Sequence, residues 1–461
     1  MASNSHILVF PFMAQGHTLP LLDLAKLLSR RGFKVTILTT PSNASSISSY
    51  TSQFSNIHLK EISFPQVQGL PKGCENMSQL SRDHLIQFFK ATKLLQQPFE
   101  KTLEDMSKVQ DPPVCVFSDS FLGWTNESCR VFGIPRFVFH GMGVLPMAIK
   151  KSLSIHQTYE VESDEIPLVV KGVQLGFTVT KQDLPKSTRE TDINISQFFL
   201  DAEKSDIGSW GVIANSFFEL EKDHVSSLES MYGNETKVWC VGPLFLYDQI
   251  GPNPSTIWAQ WLNQKVGENS VIYVSFGSQA DLSKAQLDEL AYGLELSGHD
   301  YFLMIRSKNW NPPCEINGDG RGLIVREWVD QRWVLAHEAI GGFLSHCGWN
   351  SVLESLSVGV PILAWPLEAE QHVNAKYLVE ELKVGVQVPN FKRDQVIVRR
   401  EVICEGVKEL MGGEKGLKAR KKAVVFGRMA KRSVEVGGSS YNNLDKLVDQ
   451  IRHMSPLEKT M

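Results

Sequence analysis

The sequence lacks several features that mark specialised classes of protein. Lys and Arg together number 47 and Asp and Glu number 51, so the net charge is only −4. A chain without a basic excess has no electrostatic footprint for nucleic acid, which we therefore exclude as a principal partner. No run of about 18 apolar residues occurs, so no membrane-spanning helix is predicted.

Cysteine is sparse, and its spacing excludes two further classes. The 7 residues are scattered along the chain without a C-x-x-C pair. An odd, dispersed set is typical of reduced thiols, and not of a disulfide framework or a zinc site. The first residues, MASNSHILVF, carry no basic region before the apolar run. We therefore predict no signal peptide and expect a cytoplasmic location.

What the sequence does contain is an alternation of short apolar runs and amphipathic stretches over 461 residues. Such alternation is typical of βαβ units with a parallel sheet, here in two halves with an active cleft between them. Strands are predicted at residues 6–10, 34–40, 113–119, 136–140 and 237–242, and again at 270–278, 301–307, 322–328, 340–346, 361–366 and 384–389.

A Gly/Pro-rich stretch beginning at Gly242 separates the halves. We predict an amino-terminal domain over residues 1–243, a linker over 244–256 and a carboxyl-terminal domain over 257–440. A last helix is predicted over 441–461 because its apolar residues have helical spacing. These are Leu444, Leu447, Val448 and Ile451.

His17 and Asp119 are the first candidates for chemistry. His17 precedes a helix expected to start at Thr18–Pro20, and Asp119 ends a predicted strand. An imidazole so placed can accept a proton from a substrate hydroxyl, and a carboxylate behind it would stabilise the imidazolium. The structural alternatives are a loop or capping histidine and a helix-capping aspartate. Ser120 could complete a hydrolase triad, but no G-x-S-x-G elbow occurs.

Residues 328–371 carry a denser set of binding candidates. Within SHCGWNSVLESL, a glycine turn leads into a helix whose first N–H groups can hold a diphosphate, assisted by His346, Asn350 and Ser351. Glu354 lies one turn beyond Asn350 and can accept hydrogen bonds from ribose hydroxyls. A first-turn acid that complements the helix dipole is the structural alternative.

The two ends of this segment complete the set. Trp328 offers a flat face for a base, and Glu370 with Gln371 supplies a carboxylate and an amide for sugar hydroxyls. The segment resembles the signature box of the plant secondary-product UDP-glycosyltransferases. The matching positions are Trp328, Gln331, His346, Gly348, Trp349, Asn350, Ser351, Glu354, Pro366, Glu370 and Gln371.

The resemblance implies an α/β fold of the GT-B type, with two Rossmann-like parallel-sheet domains facing across a cleft and a last helix that returns to the amino-terminal domain. It implies an inverting hexosyltransferase that moves glucose from UDP-glucose to a hydroxyl of a small lipophilic acceptor. The acceptor classes left open are flavonoids and other phenolics, terpenoids and hormones. No metal or other cofactor is expected, and a monomer is expected.

The resemblance also implies residue roles, with His17 as general base and Asp119 as its partner. The UDP-sugar would be bound by Ser278, Trp328, Val329, Gln331, His346, Gly348, Trp349, Asn350, Ser351, Glu354, Glu370 and Gln371. The amino-terminal half would build the acceptor pocket, for which the candidates are Phe12, Phe121, Met142, Met147, Phe198 and Phe199. The alternative for these six is ordinary core.

Two positions depart from the family pattern. Asp330 stands where Pro is common, and Glu370 replaces the more frequent Asp. A nicotinamide oxidoreductase would share the strand–helix alternation, but its G-x-G-x-x-G fingerprint is missing. The D-x-D triplet of metal-dependent sugar transferases is missing too. Use of another UDP-sugar and a non-catalytic nucleotide-sugar-binding protein remain as alternatives.

Overall fold

The computed structural model describes most of the chain, namely residues 5–109, 111–156, 158, 163–186, 193–233, 236–249, 251, 254–278, 280, 282–307, 309–313, 320–389 and 397–454. Parts of two predicted segments lie outside the described residues: 250, 252 and 253 of the linker and 455–461 of the last helix. Cys314 also lies outside them, and the other cysteines are free thiols.

The described residues form two compact units. The first takes its residues from Met1–Ser152, Glu190–Tyr247 and Ser433–Met461, and the second from Leu153–Arg189 and Asp248–Arg432. Each unit contains one parallel sheet, as the alternating pattern predicts. The predicted domain limits themselves stay a prediction.

The sheet of the first unit has seven described strands in the order β3-β2-β1-β4-β5-β6-β7. The strands are β1 (His6–Phe10), β2 (Lys34–Thr39), β3 (Ile57–Glu61), β4 (Cys115–Asp119), β5 (Arg136–His140), β6 (Gly211–Ala214) and β7 (Lys237–Cys240). Because β1, β4 and β5 are adjacent and parallel, their carboxyl ends meet at one edge of the sheet.

The sheet of the second unit has six described strands in the order β10-β9-β8-β11-β12-β13. They are β8 (Val271–Ser275), β9 (Asp300–Met304), β10 (Gly322–Val325), β11 (Ile340–Ser345), β12 (Ile362–Ala364) and β13 (Gly385–Gln387). All described pairings are parallel, and the central strands β8 and β11 are buried along their whole length, as is typical of a parallel sheet covered on both faces.

The α-helices in the described residues follow the strands as crossover connections and end with a long carboxyl-terminal group. They are α1 (Gln15–Arg30), α2 (Pro41–Thr51), α3 (Leu85–Lys93), α4 (Gln96–Lys108), α5 (Thr125–Phe132), α6 (Val144–His156), α7 (Ile193–Ser205), α8 (Phe218–Tyr232), α9 (Ile257–Asn263), α10 (Lys284–Ser297), α11 (Gln331–Ala336), α12 (Trp349–Ser357), α13 (Gln371–Lys376), α14 (Arg400–Gly412), α15 (Glu414–Val434) and α16 (Ser439–Arg452).

The last helix, α16, packs into the core of the first unit. Its predicted apolar stripe is buried against the sheet, with Leu444, Leu447 and Ile451 fully enclosed. A polar residue of α16 also holds the end of β7, because the Asn443 side chain donates to the Cys240 carbonyl at 3.1 Å. No helix of the described chain has the length and apolar character needed to cross a membrane.

One predicted boundary is wrong in a way that affects the site. Helix α1 begins at Gln15, not at Thr18–Pro20, so His17 lies in the first turn of the helix and not in the loop before it. The Thr18 hydroxyl donates to the Phe12 carbonyl at 2.9 Å and ties this turn to the loop. Pro20 lies inside α1, at its sixth residue, and is buried.

Candidate active site

His17 and Asp119 meet at the carboxyl edge of the first sheet. The Nδ1 atom of His17 lies 2.8 Å from Oδ2 of Asp119. Asp119 is the last residue of β4 and is fully buried, whereas the His17 side chain is 22% exposed. The structure therefore brings the two predicted residues together, with the imidazole directed to the accessible side.

The Asp119 carboxylate also shapes the loop that follows its strand. Its Oδ1 atom accepts the backbone N–H of Phe121 at 2.9 Å, while Oδ2 faces His17. The catalytic and the capping interpretations of Asp119 are thus compatible, since one carboxylate has enough lone pairs for both contacts. A carboxylate fixed from two sides holds the imidazole in one orientation.

Aromatic side chains surround the His17 ring. The ring centroid of His17 lies 4.6 Å from that of Phe121 and 5.5 Å from that of Phe12. Phe121 in turn lies 5.1 Å from Phe199, which packs against Phe198 at 5.4 Å. Four of the predicted acceptor residues therefore form one cluster beside the dyad, although Phe12 is fully buried and is part of the core.

The other two acceptor candidates, Met142 and Met147, line a small cavity together with Phe121 and Phe199. The same cavity is lined by charged and polar residues that sequence reasoning missed, namely His140, Lys150, Lys151, Glu203, Asp206 and Tyr232. One signal could have identified His140, because the predicted strands at 113–119 and 136–140 end at the same edge of a parallel sheet.

The second unit contains the predicted diphosphate turn, which follows β11. Cys347 has a left-handed φ of 64°, and its N–H donates to Ser345 Oγ at 3.1 Å. The His346 ring lies between two glycines. A Cβ atom on Gly277 would lie 2.8 Å from His346 Nε2, and one on Gly348 would lie 2.5 Å from it. Neither glycine can carry a side chain while the ring keeps this position.

The start of α12 lies directly after this turn. Gly348 is its N-cap residue and has no side chain to occupy the first N–H groups, which are followed by Asn350 and Ser351. A helix amino terminus of this kind attracts anions. Desolvation lowers the pKa of His346 to about 4, so the ring is neutral at pH 7. Ser278 follows Gly277 on the other side of this ring.

Gln331 connects several of the predicted nucleotide residues. Its Nε2 donates to Ser351 Oγ at 2.9 Å and to Glu354 Oε2 at 2.7 Å, and its Oε1 accepts the Tyr273 hydroxyl at 3.2 Å. Arg332 Nε donates to the other Glu354 oxygen at 3.3 Å. The structure thus joins Gln331, Ser351 and Glu354, and Gln331 orients the carboxylate from within the protein.

Burial raises the pKa of Glu354, although Arg332 and Gln331 act in the opposite direction. The carboxylate is therefore costly to keep ionised in the folded protein. Hydrogen bonds from a bound ligand would reduce that cost, because they favour the charged form.

Trp328 is 64% exposed, whereas the next residue, Val329, is buried. A large exposed indole beside the Glu354 cluster is a surface on which a base can stack. The departure at Asp330 has a structural reason, since its Oδ1 caps α11 by accepting the N–H groups of Arg332 at 3.1 Å and Trp333 at 3.3 Å. A proline at this position would lose that cap.

Glu370 and Gln371 lie at the start of α13, next to the diphosphate turn. Asn374 donates to Glu370 Oε1 at 3.5 Å and to the Cys347 carbonyl at 2.9 Å, which links the two segments. Gln371 Oε1 accepts two backbone N–H groups of the preceding loop, each at 2.9 Å. A sugar hydroxyl would therefore meet the amide NH₂ of Gln371. Trp349, the first residue of α12, is 2% exposed.

The similarity to known proteins covers nearly the whole chain. A family model described as "UDP-glucoronosyl and UDP-glucosyl transferase" matches residues 248–394, and one described as "Glycosyltransferase, N-terminal domain" matches residues 4–246. UDP-glycosyltransferase 90A1 of Arabidopsis thaliana is 42% identical over 97% of this chain and 96% of its own length.

Two further relatives are similar over nearly their full length. The anthocyanin 3'-O-beta-glucosyltransferase of Gentiana triflora is 36% identical over 97% of this chain and 98% of its own. The structure of Phytolacca americana UGT2, complexed with UDP-2fluoro-glucose and pterostilbene, superimposes with a TM-score of 0.85 at 29% identity, covering 97% of this chain and 99% of that one.

Proposed function

The chain belongs to the UDP-glycosyltransferase family and has its GT-B fold, and we propose that it transfers glucose from UDP-glucose, with inversion, to a hydroxyl of a small lipophilic acceptor. That it is a UDP-sugar-dependent transferase follows from its family. The choice of sugar, the acceptor and the residues that act are the parts we propose here.

The observation that carries the mechanism is the 2.8 Å contact between His17 Nδ1 and Asp119 Oδ2. Because Nδ1 faces a carboxylate, the proton of a neutral ring lies on Nδ1 and the lone pair on Nε2. In the proposed reaction Nε2 of His17 accepts the proton of the acceptor hydroxyl. Asp119 then stabilises the imidazolium that forms.

One bond forms and one bond breaks at the anomeric carbon of the sugar. The acceptor oxygen forms a bond to that carbon while the bond to the oxygen of the β-phosphate breaks, and UDP leaves as an anion. Attack from the face opposite UDP inverts the configuration, through a transition state with oxocarbenium character. The leaving charge would be met by the N–H groups at the start of α12 together with His346, Asn350 and Ser351.

The nucleoside would be held by Trp328, Val329 and the Glu354 carboxylate, which Gln331 and Arg332 orient. A ribose that donates its hydroxyls to Glu354 would supply the hydrogen bonds that a buried carboxylate favours. Trp349, Glu370 and Gln371 would contact the transferred sugar. No resident metal is part of this proposal, because the diphosphate is matched to helix-terminal N–H groups.

The acceptor class is proposed from the surroundings of His17. Phe121 and Phe199 offer apolar rings next to the base, which suits a flat aromatic or terpenoid skeleton better than a sugar or a peptide. The Gentiana relative is named for an anthocyanin, and the Phytolacca structure contains pterostilbene. We therefore place phenolic acceptors first among the candidates.

A direct test is to incubate the protein with UDP-glucose and a mixed panel of flavonols, stilbenes, coumarins, terpenoid alcohols and hormones. Mass spectrometry should show the gain of one hexose on at least one phenolic member, and the anomeric proton of that product should report the β configuration by NMR. No hexose gain on any member, with UDP-glucose bound, would point to a binding protein. A product with retained configuration would contradict the single-displacement mechanism.

A further inference from the structure

A second imidazole–carboxylate pair, His140 and Asp206, lies in the first unit at the cavity that also contains Phe121, Met142 and Met147. We propose that this pair forms a polar subsite that binds a second hydroxyl group of the acceptor, distant from the one that is glycosylated. The proposal rests on the proposed function and adds a feature of its substrate: the acceptor carries at least two hydroxyls.

The pair is built in the same way as the dyad of His17. His140 ends β5, the strand next to β4, and it lies one residue beyond the position paired with Asp119. Its Nε2 atom lies 2.8 Å from Oδ2 of Asp206, which is 1% exposed. His140 is therefore held rigidly at the carboxyl edge of the sheet.

The Asp206 carboxylate is kept ionised by its neighbours. Burial alone would raise its pKa, but the hydrogen bond to His140 and the positive charges of Arg136 and Lys151 hold the pKa of Asp206 below its usual value. The Tyr232 hydroxyl also donates to Oδ2 at 3.4 Å. Opposite an ionised carboxylate, Nε2 of His140 carries the proton, so in the neutral ring Nδ1 carries the lone pair.

The surroundings of His140 Nδ1 are the observation that points to a ligand. His140 Nδ1 is buried and has no hydrogen-bond partner among the described residues. His140 lines a cavity of about 20 Å³. A group the size of a water molecule needs roughly 10–15 Å³, so the cavity admits a single hydroxyl but not a ring.

The opposite wall of the cavity supplies complementary groups. Lys151 is 4% exposed and donates to the backbone carbonyl of Glu203 at 3.3 Å, and burial lowers the pKa of Lys151. Oε1 of Glu203 is buried without a hydrogen-bond partner among the described residues. A hydroxyl fits between these groups, because it can donate to His140 Nδ1 and accept from a lysine. The carboxylates of Asp206 and Glu203 offset the charges of the two lysines that line the cavity, Lys150 and Lys151, so the lining has no net positive charge to attract an anion.

The subsite is close enough to His17 to orient a substrate. Phe121 lines the cavity, and its ring centroid lies 4.6 Å from that of His17. A Cβ atom on Gly141, the residue after His140, would lie 3.6 Å from His17 Nδ1. A planar acceptor with one hydroxyl in the cavity would extend past Phe121 towards His17. His140 is therefore a positioning residue, because it would hold the distant hydroxyl and so orient the acceptor relative to the base.

The test uses matched acceptors that differ in one free hydroxyl, namely quercetin with kaempferol and resveratrol with its monomethyl ether pinostilbene. Equilibrium binding and initial rates with UDP-glucose are measured for the full-length protein and for His140→Phe, His140→Gln and the control His156→Phe. We expect the wild-type protein to favour the acceptor with the additional free hydroxyl by roughly tenfold in Kd in at least one pair, as one buried hydrogen bond would give.

In that pair His140→Phe should reduce the ratio of the two Kd values to about one, and His140→Gln should restore part of it, since an amide oxygen can accept the same hydrogen bond. His156→Phe makes the same substitution at an exposed histidine that does not line the cavity, and it should keep the ratio. A wild-type ratio below about threefold in both pairs, or an unchanged ratio in His140→Phe, overturns the proposal. So does tighter binding of an analogue with a carboxylate in place of the hydroxyl.

The readout by Kd separates this proposal from the proposed function. If the protein binds the hydroxylated acceptor in a His140-dependent way but transfers no sugar to it, the subsite stands and the transferase mechanism fails. If transfer occurs with the same ratio in every variant, the mechanism stands and the subsite fails. Should His140→Phe not fold, the wild-type ratios and His140→Gln alone decide, because an amide that does not retain any preference contradicts the subsite.

Discussion

Nδ1 of His17 lies 2.8 Å from Oδ2 of Asp119, although 102 residues separate them in the chain. The contact follows from topology, because α1 starts where β1 ends and the adjacent strand β4 ends at Asp119. A general base requires such a partner to fix its tautomer, and the partner here is fully buried.

Replacement of Asp119 by Asn should slow transfer by roughly 10²–10⁴-fold, because an amide does not stabilise an imidazolium as a carboxylate does. The protein should still fold, since the amide oxygen can keep accepting the Phe121 N–H. Initial rates on an unactivated alcohol measure the effect. The matched control is Asp449→Asn on the exposed face of α16, which should retain the wild-type rate. An Asp119→Asn rate within threefold of wild type would show that the carboxylate has no part in the mechanism.

UDP-glucose should be the preferred donor. The box positions Trp349 and Gln371 are those that family resemblance associates with glucose, and Gln371 presents its NH₂ group because its Oε1 is engaged by the backbone. Initial rates are compared with UDP-galactose, UDP-xylose, UDP-rhamnose and UDP-glucuronate at equal concentration. Faster turnover with any of these four would overturn the assignment.

Transfer should need no added metal, because the start of α12 offers N–H groups for the diphosphate. Dialysis against a chelator should leave the rate within a factor of about two. The control is the same sample with Mg²⁺ or Mn²⁺ added back. A large loss that either ion restores would mean that a cation, and not the helix terminus, meets the leaving charge.

Glu354→Gln should weaken UDP binding and, at the same time, change how the stability of the protein depends on pH. Burial raises the pKa of Glu354, so the folded protein favours its protonated form, and the resulting stability is present at low pH and lost as pH rises through the folded-state pKa. The thermal unfolding midpoint of Glu354→Gln, relative to that of the wild type, should therefore rise as the pH is raised from 4 to 7. The affinity of this variant for UDP should be lower than that of the wild type. Exposed Glu338→Gln serves as control. A midpoint difference that does not change with pH would contradict the raised pKa.

The sequence predicts the sheets of both units well, because buried parallel strands are short apolar runs that are easy to recognise. Each predicted strand overlaps an observed one, with ends shifted by a few residues. Two observed strands are not predicted by the sequence pattern, and each omission has a physical reason. β3 (Ile57–Glu61) is an edge strand with polar residues in alternation, and β6 (Gly211–Ala214) is too short to give a pattern.

The site is predictable only in part. The pairing of His17 with Asp119 follows from strand ends that meet at one edge, whereas Asp206 could not be assigned to His140 because it lies 66 residues further along, just beyond the end of α7. The hydrogen bonds of Gln331 to Ser351 and Glu354 likewise depend on how α11 packs against α12. The residue types in 328–371 identify the signature box of the family, whereas only the packing shows which side chains orient the others.

The size of the catalytic loss should depend on the acceptor. An acceptor that is already ionised, such as an activated phenol, needs a base least, so His17→Ala should impair its glycosylation less than that of an unactivated alcohol. The ratio of the two losses distinguishes a missing base from a disordered pocket, which would affect both acceptors equally.

The central claim is that His17 is the base and takes no part in nucleotide binding. It is tested most directly by measuring, on one preparation of His17→Ala, the rate on an unactivated alcohol and the UDP affinity by calorimetry. We predict a rate loss of ~10²–10⁴-fold or more with UDP affinity unchanged. A near-wild-type rate would show that another residue is the base, and the assignment of the His17–Asp119 pair would be wrong.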